Sequence, residues 1–532
     1  MEPQSFHRGQ LDIKGFQQRQ DSITSPEPVM HIKVGTAQDE RDMHRLGKVQ
    51  RLNRSFHYVS ILAFTIIVMS VWMTTLTVNV FPLINGGRAG TIWTYLGSWV
   101  CMTAVSASIA EMASMAPTCG GQYHWVSEFA PLGAQKALSY WIGWLSALSW
   151  QGFIASSCFQ AGNLVLILAS LTHPMFAPMP WHGTLMTMAI AFVVTSSNVF
   201  AAKYLPQVEK FMLVFHVLTF VVFLAVLWAT APLAPARDVF GTFSNYGVWS
   251  SVGAARWVGQ VAGGGALLGM DSAAHMSEEV EDASMAVPRM IMASVTISGA
   301  LGFIFTITFV FIIQDVESQI ADSTAYYPFI AVFATAIGST GAAIGLTVMI
   351  IFLGICAAIS AMAAATRQAW SFARDSGLPF STWFMTLTNI NGVPTPLHAM
   401  IASLLICMVI ALLNLGRAET WNSIVGLVAG AMCFSYLISI SCVLWRRLFG
   451  APLPPARWSL GKTGGPAINS FSCLYLINLI TASFFPLYSN VTAKTMNWGI
   501  AMFAGVALLS IVYYLAHGRK VYKGPVVHLR SH

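Results

Sequence analysis

In "GGGALLGMDSAAHMSEEV", residues 263–280, four ionisable side chains follow a run of three glycines: Asp271, His275, Glu278 and Glu279. Three kinds of chemistry fit them. Asp271, His275 and Glu279 recur every four residues, so one face of a continuous helix would carry all three. A metal site needs three or four converging ligands, and no second cluster stands by to complete one; no metal is expected. Asp271 in an apolar helix becomes a cation site if freed backbone carbonyls join it. Gly263 to Gly265 and Gly269 permit this, since each weakens a helix by roughly 1 kcal/mol relative to Ala. A break is therefore expected between about Leu267 and Ser272, with Asp271 beside a cavity that admits a small ligand bearing an amine. Irregular backbone at membrane depth is tolerated where it lines such a cavity. The plainer alternative is a glycine patch for close helix packing, followed by a solvated loop. In that loop Glu278 or Glu279 would pair with Arg289 or Arg374.

Other side chains are candidates for similar reasons. His216 lies inside "FMLVFHVLTFVVF". A histidine there can relay protons, or pack as a neutral, hydrogen-bonded ring. Ser70, Trp72, Thr74 and Thr75 give one apolar stretch a polar patch, although hydroxyls in such helices usually bond back to their own backbone. Trp150 and Gln151 sit mid-way along another and read as packing. The eight cysteines mostly stand inside apolar runs and suggest neither disulfides nor a metal centre.

The elements that position these residues must be membrane helices. Of 532 residues, 55% are hydrophobic and 9% are charged, and the mean hydropathy is +0.63. A soluble domain carries about 25% charged residues, so this surface faces lipid. Alternation typical of outer-membrane barrels is absent. The expected fold is all-α and polytopic. About twelve spans are expected near 58–82, 90–112, 136–160, 183–202, 208–230, 255–275, 288–314, 340–365, 395–414, 420–445, 470–489 and 495–516. A shorter piece, "YYPFIAVFATAIGS", reads as an external half-helix. Residues 1–56 form a cytoplasmic, disordered tail, 57–516 the transmembrane domain, and 517–532 a cytoplasmic C-terminal tail.

Orientation follows from the cations. With the N-terminus inside, only Arg88, Arg237, Arg256, Arg417 and Lys494 of the 28 Lys and Arg fall outside, the bias of the positive-inside rule. The net charge of +7 is thus a topology signal and no nucleic-acid partner is implied. Asn490, in "SNVTAK", is a glycosylation candidate in an expected external loop.

Several motifs together resemble the fungal amino acid, choline and GABA permeases of the amino acid–polyamine–organocation superfamily. They are "AEMASMAPTCGGQYHWVSEFAP" (110–131), the opening stretch itself, "RQAWSFARDSGLPFS" (367–381) and "GVPTPLHAM" (392–400). The resemblance covers about residues 58 to 516. It implies a five-plus-five inverted repeat with two additional helices, broken first and sixth spans, and alternating access, usually driven by protons. The implied substrate contacts are Ser70, Trp72 and Thr74 in the first span and Leu267, Gly269, Asp271 and Ser272 in the sixth. Backbone N–H groups of the first would hold a carboxylate, and carbonyls of the sixth an amine. Gating and proton-coupling candidates are His216, Asp271, Glu278, Glu279, Arg367 and Arg374. Two departures stand out. The first span has no glycine between Ser60 and Gly86, so only the resemblance places a break there, and a carboxylate-free amine such as choline or an alkaloid stays open. Cys119 replaces a small residue, commonly Ala, in the loop motif.

The expected function is secondary transport of a small amine or amino acid through a lipid bilayer, at the plasma membrane, with a proton gradient in place of any cofactor. The alternatives are a membrane-embedded, metal-dependent enzyme using Asp271, His275 and Glu279, a non-transporting nutrient sensor, or an exporter. The sequence leaves the oligomeric state open.

Overall fold

The computed structural model describes residues 32–173, 175–322, 327–415, 419–493, 495–522 and 524–525, excepting the side chains of 419–422. Arg8, Lys14, Arg19, Arg417, Lys494, Lys523 and Arg530 of the charge argument lie outside the described residues.

An apolar chain in lipid must satisfy its backbone internally, and helices do so. Among the described residues, ten helices are long and apolar enough to cross a bilayer. The first five spans are Tyr58–Met69 continued by Val71–Thr77, Gly87–Met115, Gln135–Thr172, Pro180–Phe200 and Leu205–Thr230. The sixth is Val252–Ala266 followed by Ser272–His275. The seventh to tenth are Ala283–Ile312, Thr340–Arg374, Leu397–Leu412 and Glu419–Phe449. Gly464–Ser483 and Gly499–Tyr513 complete the bundle. The third and eighth helices run beyond the expected limits, the third through the apolar stretch 161–172 and the eighth through the polar turns 366–374, where packing of the core face keeps the helix going. Phe329–Ile337 forms the expected short helix before the eighth span. Among the described residues the strands are Thr388–Ile390 and Val393–Thr395, one antiparallel hairpin.

Both expected interruptions are present. In the sixth span Gly269 adopts φ +92. Leu267 and Leu268 bond back to Gly264 and Gly265 in tight turns at 3.2 Å, and regular helix resumes at Ser272. In the first span a serine does the work of a glycine. Ser70 is left-handed at φ 37, and its hydroxyl donates to Ile67 O at 2.6 Å. That bond satisfies a carbonyl freed by the interruption and offsets part of the left-handed cost of about 1–2 kcal/mol.

The expectation of a disordered tail is corrected for residues 32–56. Ala37–Arg45 is a helix capped by Thr36. The Asp39 carboxylate accepts from Asp282 N at 2.9 Å and Ala283 N at 3.0 Å, so it caps the seventh span. Arg54, 1% exposed, lies 3.3 Å from Asp39 and donates to Ser277 O at 2.9 Å. Phe56 pairs with Val280. Charged and polar composition suggested a solvated chain; these side chains instead satisfy buried ends of the sixth and seventh spans.

Candidate functional site

The sixth-span break brings Asp271 to the centre of the bundle, 1% exposed. Its carboxylate accepts from Gln122 Nε2 at 2.6 Å, Tyr436 OH at 2.6 Å and Trp150 Nε1 at 3.3 Å. His275 Nε2 stands 3.2 Å away, and His275 Nδ1 lies 2.9 Å from Cys119 O. A carbonyl and a carboxylate both accept, so the Asp271–His275 pair must hold a proton between its own atoms. The pair's net charge is zero. Three protein donors and His275 thus surround the Asp271 carboxylate, expected from the sequence beside freed carbonyls and a cavity. Gln122 comes from Gln122–Phe129, the short helix of the 110–131 motif; Trp150 and Tyr436 come from the third and tenth spans.

The other implied contacts separate into two groups. Leu267 and Ser272 are fully buried at the break, and Ser272 Oγ has no partner. Gly269 faces the first and third spans; a Cβ there would lie 3.2 Å from Val68 Cγ1 and 3.9 Å from Phe153 Cζ. Ser70 marks the opposing break, but its hydroxyl is used on Ile67 O. Thr74 likewise donates to Met69 O at 3.3 Å. Trp72 points elsewhere. Its ring packs with Phe305, Phe223 and Phe220 at 5.0, 5.3 and 5.8 Å, and with His216 at 5.5 Å. His216 is thus part of an aromatic cluster between the first and fifth spans, with Nδ1 unpartnered. A cavity lined by Thr75, Asn79, Thr94, Tyr95, Gly263 and Thr306 lies beyond the breaks, on the side away from the N-terminal segment.

Glu278 and Glu279 do not share the helical face of Asp271 and His275, because Ser277–Glu279 is a tight 3-10 turn. Instead they build a charged layer on the N-terminal face. Arg374 holds Glu278 with two bonds at 2.7 and 2.8 Å, and its guanidinium lies 4.6 Å from the Trp370 ring centre. Arg367 Nε donates to Glu279 at 2.7 Å. Lys48 pairs with Asp375, which also accepts from Tyr123 OH at 2.9 Å. Gln50 Nε2 donates to Glu278 O at 2.6 Å. The solvated-loop alternative is overturned for Glu278, which has no exposed surface. Arg289, the other partner considered, is exposed. Lys48, Arg54 and Gln122 join the site without a local sequence signal of their own, apart from the place of Gln122 in the 110–131 motif. Asn490 sits exposed in the loop after the eleventh span, on the face opposite the N-terminal segment.

Gly269→Leu is expected to abolish transport. The left-handed φ costs a branched side chain about 1–2 kcal/mol, and overpacking against Val68 adds about 1–3 kcal/mol. Uptake normalised to surface-labelled protein checks this; normal uptake would place the substrate path away from this break.

Interrupted first and sixth helices, a buried carboxylate–histidine pair on the sixth and ion pairs closing one face fit a multi-pass membrane transporter rather than an enzyme. The chain belongs to the amino acid permease family, whose model matches residues 56–507. It is 24% identical to an uncharacterized amino-acid permease of Schizosaccharomyces pombe, over 97% of this chain and 95% of that one. It is 29% identical to a putative amino acid/polyamine transporter of Macrophomina phaseolina, covering 82% and 96%, and 27% identical to a choline transporter of Saccharomyces cerevisiae, covering 88% and 82%. Among solved structures, the manganese transporter of Eremococcus coleocola shares the fold at a TM-score of 0.54, 11% identity and coverage of 86% and 93%.

Proposed function

We propose that this secondary transporter imports a small amine or amino acid together with protons across the plasma membrane, with its N-terminal face in the cytoplasm and Asn490 glycosylated outside. The observation that carries the substrate reading is the opposed pair of interruptions at Ser70 and at Leu267 to Asp271. Val252–Ala266 ends there, and the carbonyl end of a helix attracts a cation. Because His275 neutralises Asp271, the amine meets those carbonyls rather than the carboxylate. The choline and amino acid/polyamine transporters among the relatives agree with an amine. Substrate approaches through the cavity at Thr75 and Thr94, and the ion pairs of Glu278 and Glu279 close the far side.

The test is a radiolabelled panel of amino acids, GABA and choline in a fungal strain lacking its own permeases. Uptake is expected to rise as external pH falls and to collapse with an uncoupler. Uptake indifferent to the uncoupler would overturn proton coupling while leaving the substrate reading intact.

A further inference from the structure

Among the described residues, eight carboxylates are buried: Asp39, Asp42, Glu111, Glu209, Asp271, Glu278, Glu279 and Asp375. Six have a cationic partner, from Arg54 on Asp39, Arg45 on Asp42, Arg447 on Glu111, Arg374 on Glu278, Arg367 on Glu279 and Lys48 on Asp375, and Asp271 shares a proton with His275. Glu209 is the exception. It stands in the fifth span with no exposed surface. Ser360 of the eighth span donates to its Oε1 at 2.7 Å, and Oε2 is buried without a partner.

The elements around it supply no counter-charge. The fifth span packs chiefly on Tyr58–Met69, and also on the seventh and eighth spans and Phe329–Ile337. Their titratable or charged groups are Tyr58 at the start of the first, exposed Arg289 on the seventh, and Cys356, Arg367 and Arg374 on the eighth; the Ala202–Tyr204 turn leading into the fifth adds Lys203 and Tyr204, both exposed. Both arginines are committed to Glu279 and Glu278. Phe329–Ile337 carries none. On the fifth span itself Lys210 points outward and His216 packs on Trp72. A carboxyl group cut off from water, with one hydroxyl donor and no cation, avoids the cost of a bare charge by carrying a proton.

We propose that Glu209 is the group that binds the coupling proton, an inference that rests on the proton-symport reading above. The proton binds at Oε2, the atom with no other partner. Glu209 lies on the helix that packs against the inner half of the interrupted first span. Movement of that half-helix about Ser70 would open Glu209 to water on the N-terminal face. The proton then leaves to that water, and no bond between heavy atoms forms or breaks. Ser360 positions the carboxyl through Oε1.

Purified protein in liposomes, given an equimolar mixture of radiolabelled choline, GABA and the common amino acids, tests this. The wild type should accumulate label when the interior is alkaline and should exchange label without a gradient. Glu209→Gln is expected to lose gradient-driven accumulation while exchange continues, and Glu209→Asp to restore accumulation with a shifted pH profile. Accumulation by Glu209→Gln under the gradient would overturn the proposal. If Glu209→Gln does not fold, Ser360→Ala decides: a shifted pH midpoint of accumulation supports the proposal, and an unchanged midpoint overturns it. A wild type that exchanges label but ignores the gradient would instead refute proton symport itself, and a wild type that takes up no label would refute the substrate reading.

Discussion

Asp271→Ala is expected to abolish transport and to destabilise the folded protein by about 3–5 kcal/mol, the range for stripping one partner from a buried ion pair. Gln122, Tyr436, Trp150 and His275 would all lose their common acceptor in a site without exposed surface. Each stranded donor costs about 1–3 kcal/mol, so the neighbouring helices must move to relieve them. Asp271→Asn keeps the shape and one acceptor oxygen but cannot share the proton that the carboxylate shares with His275. For that variant, turnover is expected to fall about a hundredfold, equivalent to ~3 kcal/mol. Its KM should change far less, because the substrate amine does not rest on this carboxylate. Thermal unfolding in detergent and saturation kinetics at matched surface expression measure the two effects. A KM raised more than tenfold with unchanged maximal rate would make Asp271 a direct substrate contact.

The second large effect concerns the layer on the N-terminal face. Arg374→Glu places two carboxylates together at Glu278 and should eliminate transport. Arg374→Ala leaves Glu278 buried and unpaired, with an expected loss of about 3–5 kcal/mol in stability. The exchange Glu278→Arg with Arg374→Glu should recover part of both. A coupling energy of about 1–3 kcal/mol from the double-mutant cycle is expected for groups in contact; additive losses would mean the pair does not close the path. Acid should act on the same pair. Burial by itself raises the Glu278 carboxyl, but the Arg374 guanidinium and then Lys48 outweigh it and hold the group below its ordinary value. The unfolded chain therefore takes up this proton at a higher pH than the folded protein does. The stabilisation from Glu278 is complete above the ordinary glutamate range and is lost as pH falls through the lowered folded value. In Arg374→Ala burial acts on Glu278 without its main opposing partner, so the folded value rises and the acid loss from this group should shrink, read as a flatter acid limb of the melting-temperature profile.

The resemblance carried the first-span interruption without any residue to mark it. Left-handed Ser70 is held by its bond to Ile67 O and by surrounding helices, so no propensity scale would pick it out. The sixth interruption was legible because glycines lower its cost locally. Glu209 shows the opposite limit. Beside Lys210 it looks like the edge of a solvated loop, yet the helix turns Lys210 outward and Glu209 inward. Likewise Glu278 and Glu279 were visible as acids, but the arginines they meet stand 96 and 88 residues away.

The sequence by itself determined the solvent, the helical class, the order and approximate limits of the spans, and the cation bias between the two faces. Those properties are sums over neighbouring residues, and transfer to lipid reads such sums directly. Only the tertiary structure decided that Asp271 shares a proton with His275, that residues 32–56 are part of the closed layer, and that Glu209 alone among the buried acids described has neither a cation nor a histidine beside it. The energy of a buried polar group depends on which donors converge on it. Here those donors come from helices up to 165 residues apart, brought together by packing that no local pattern encodes.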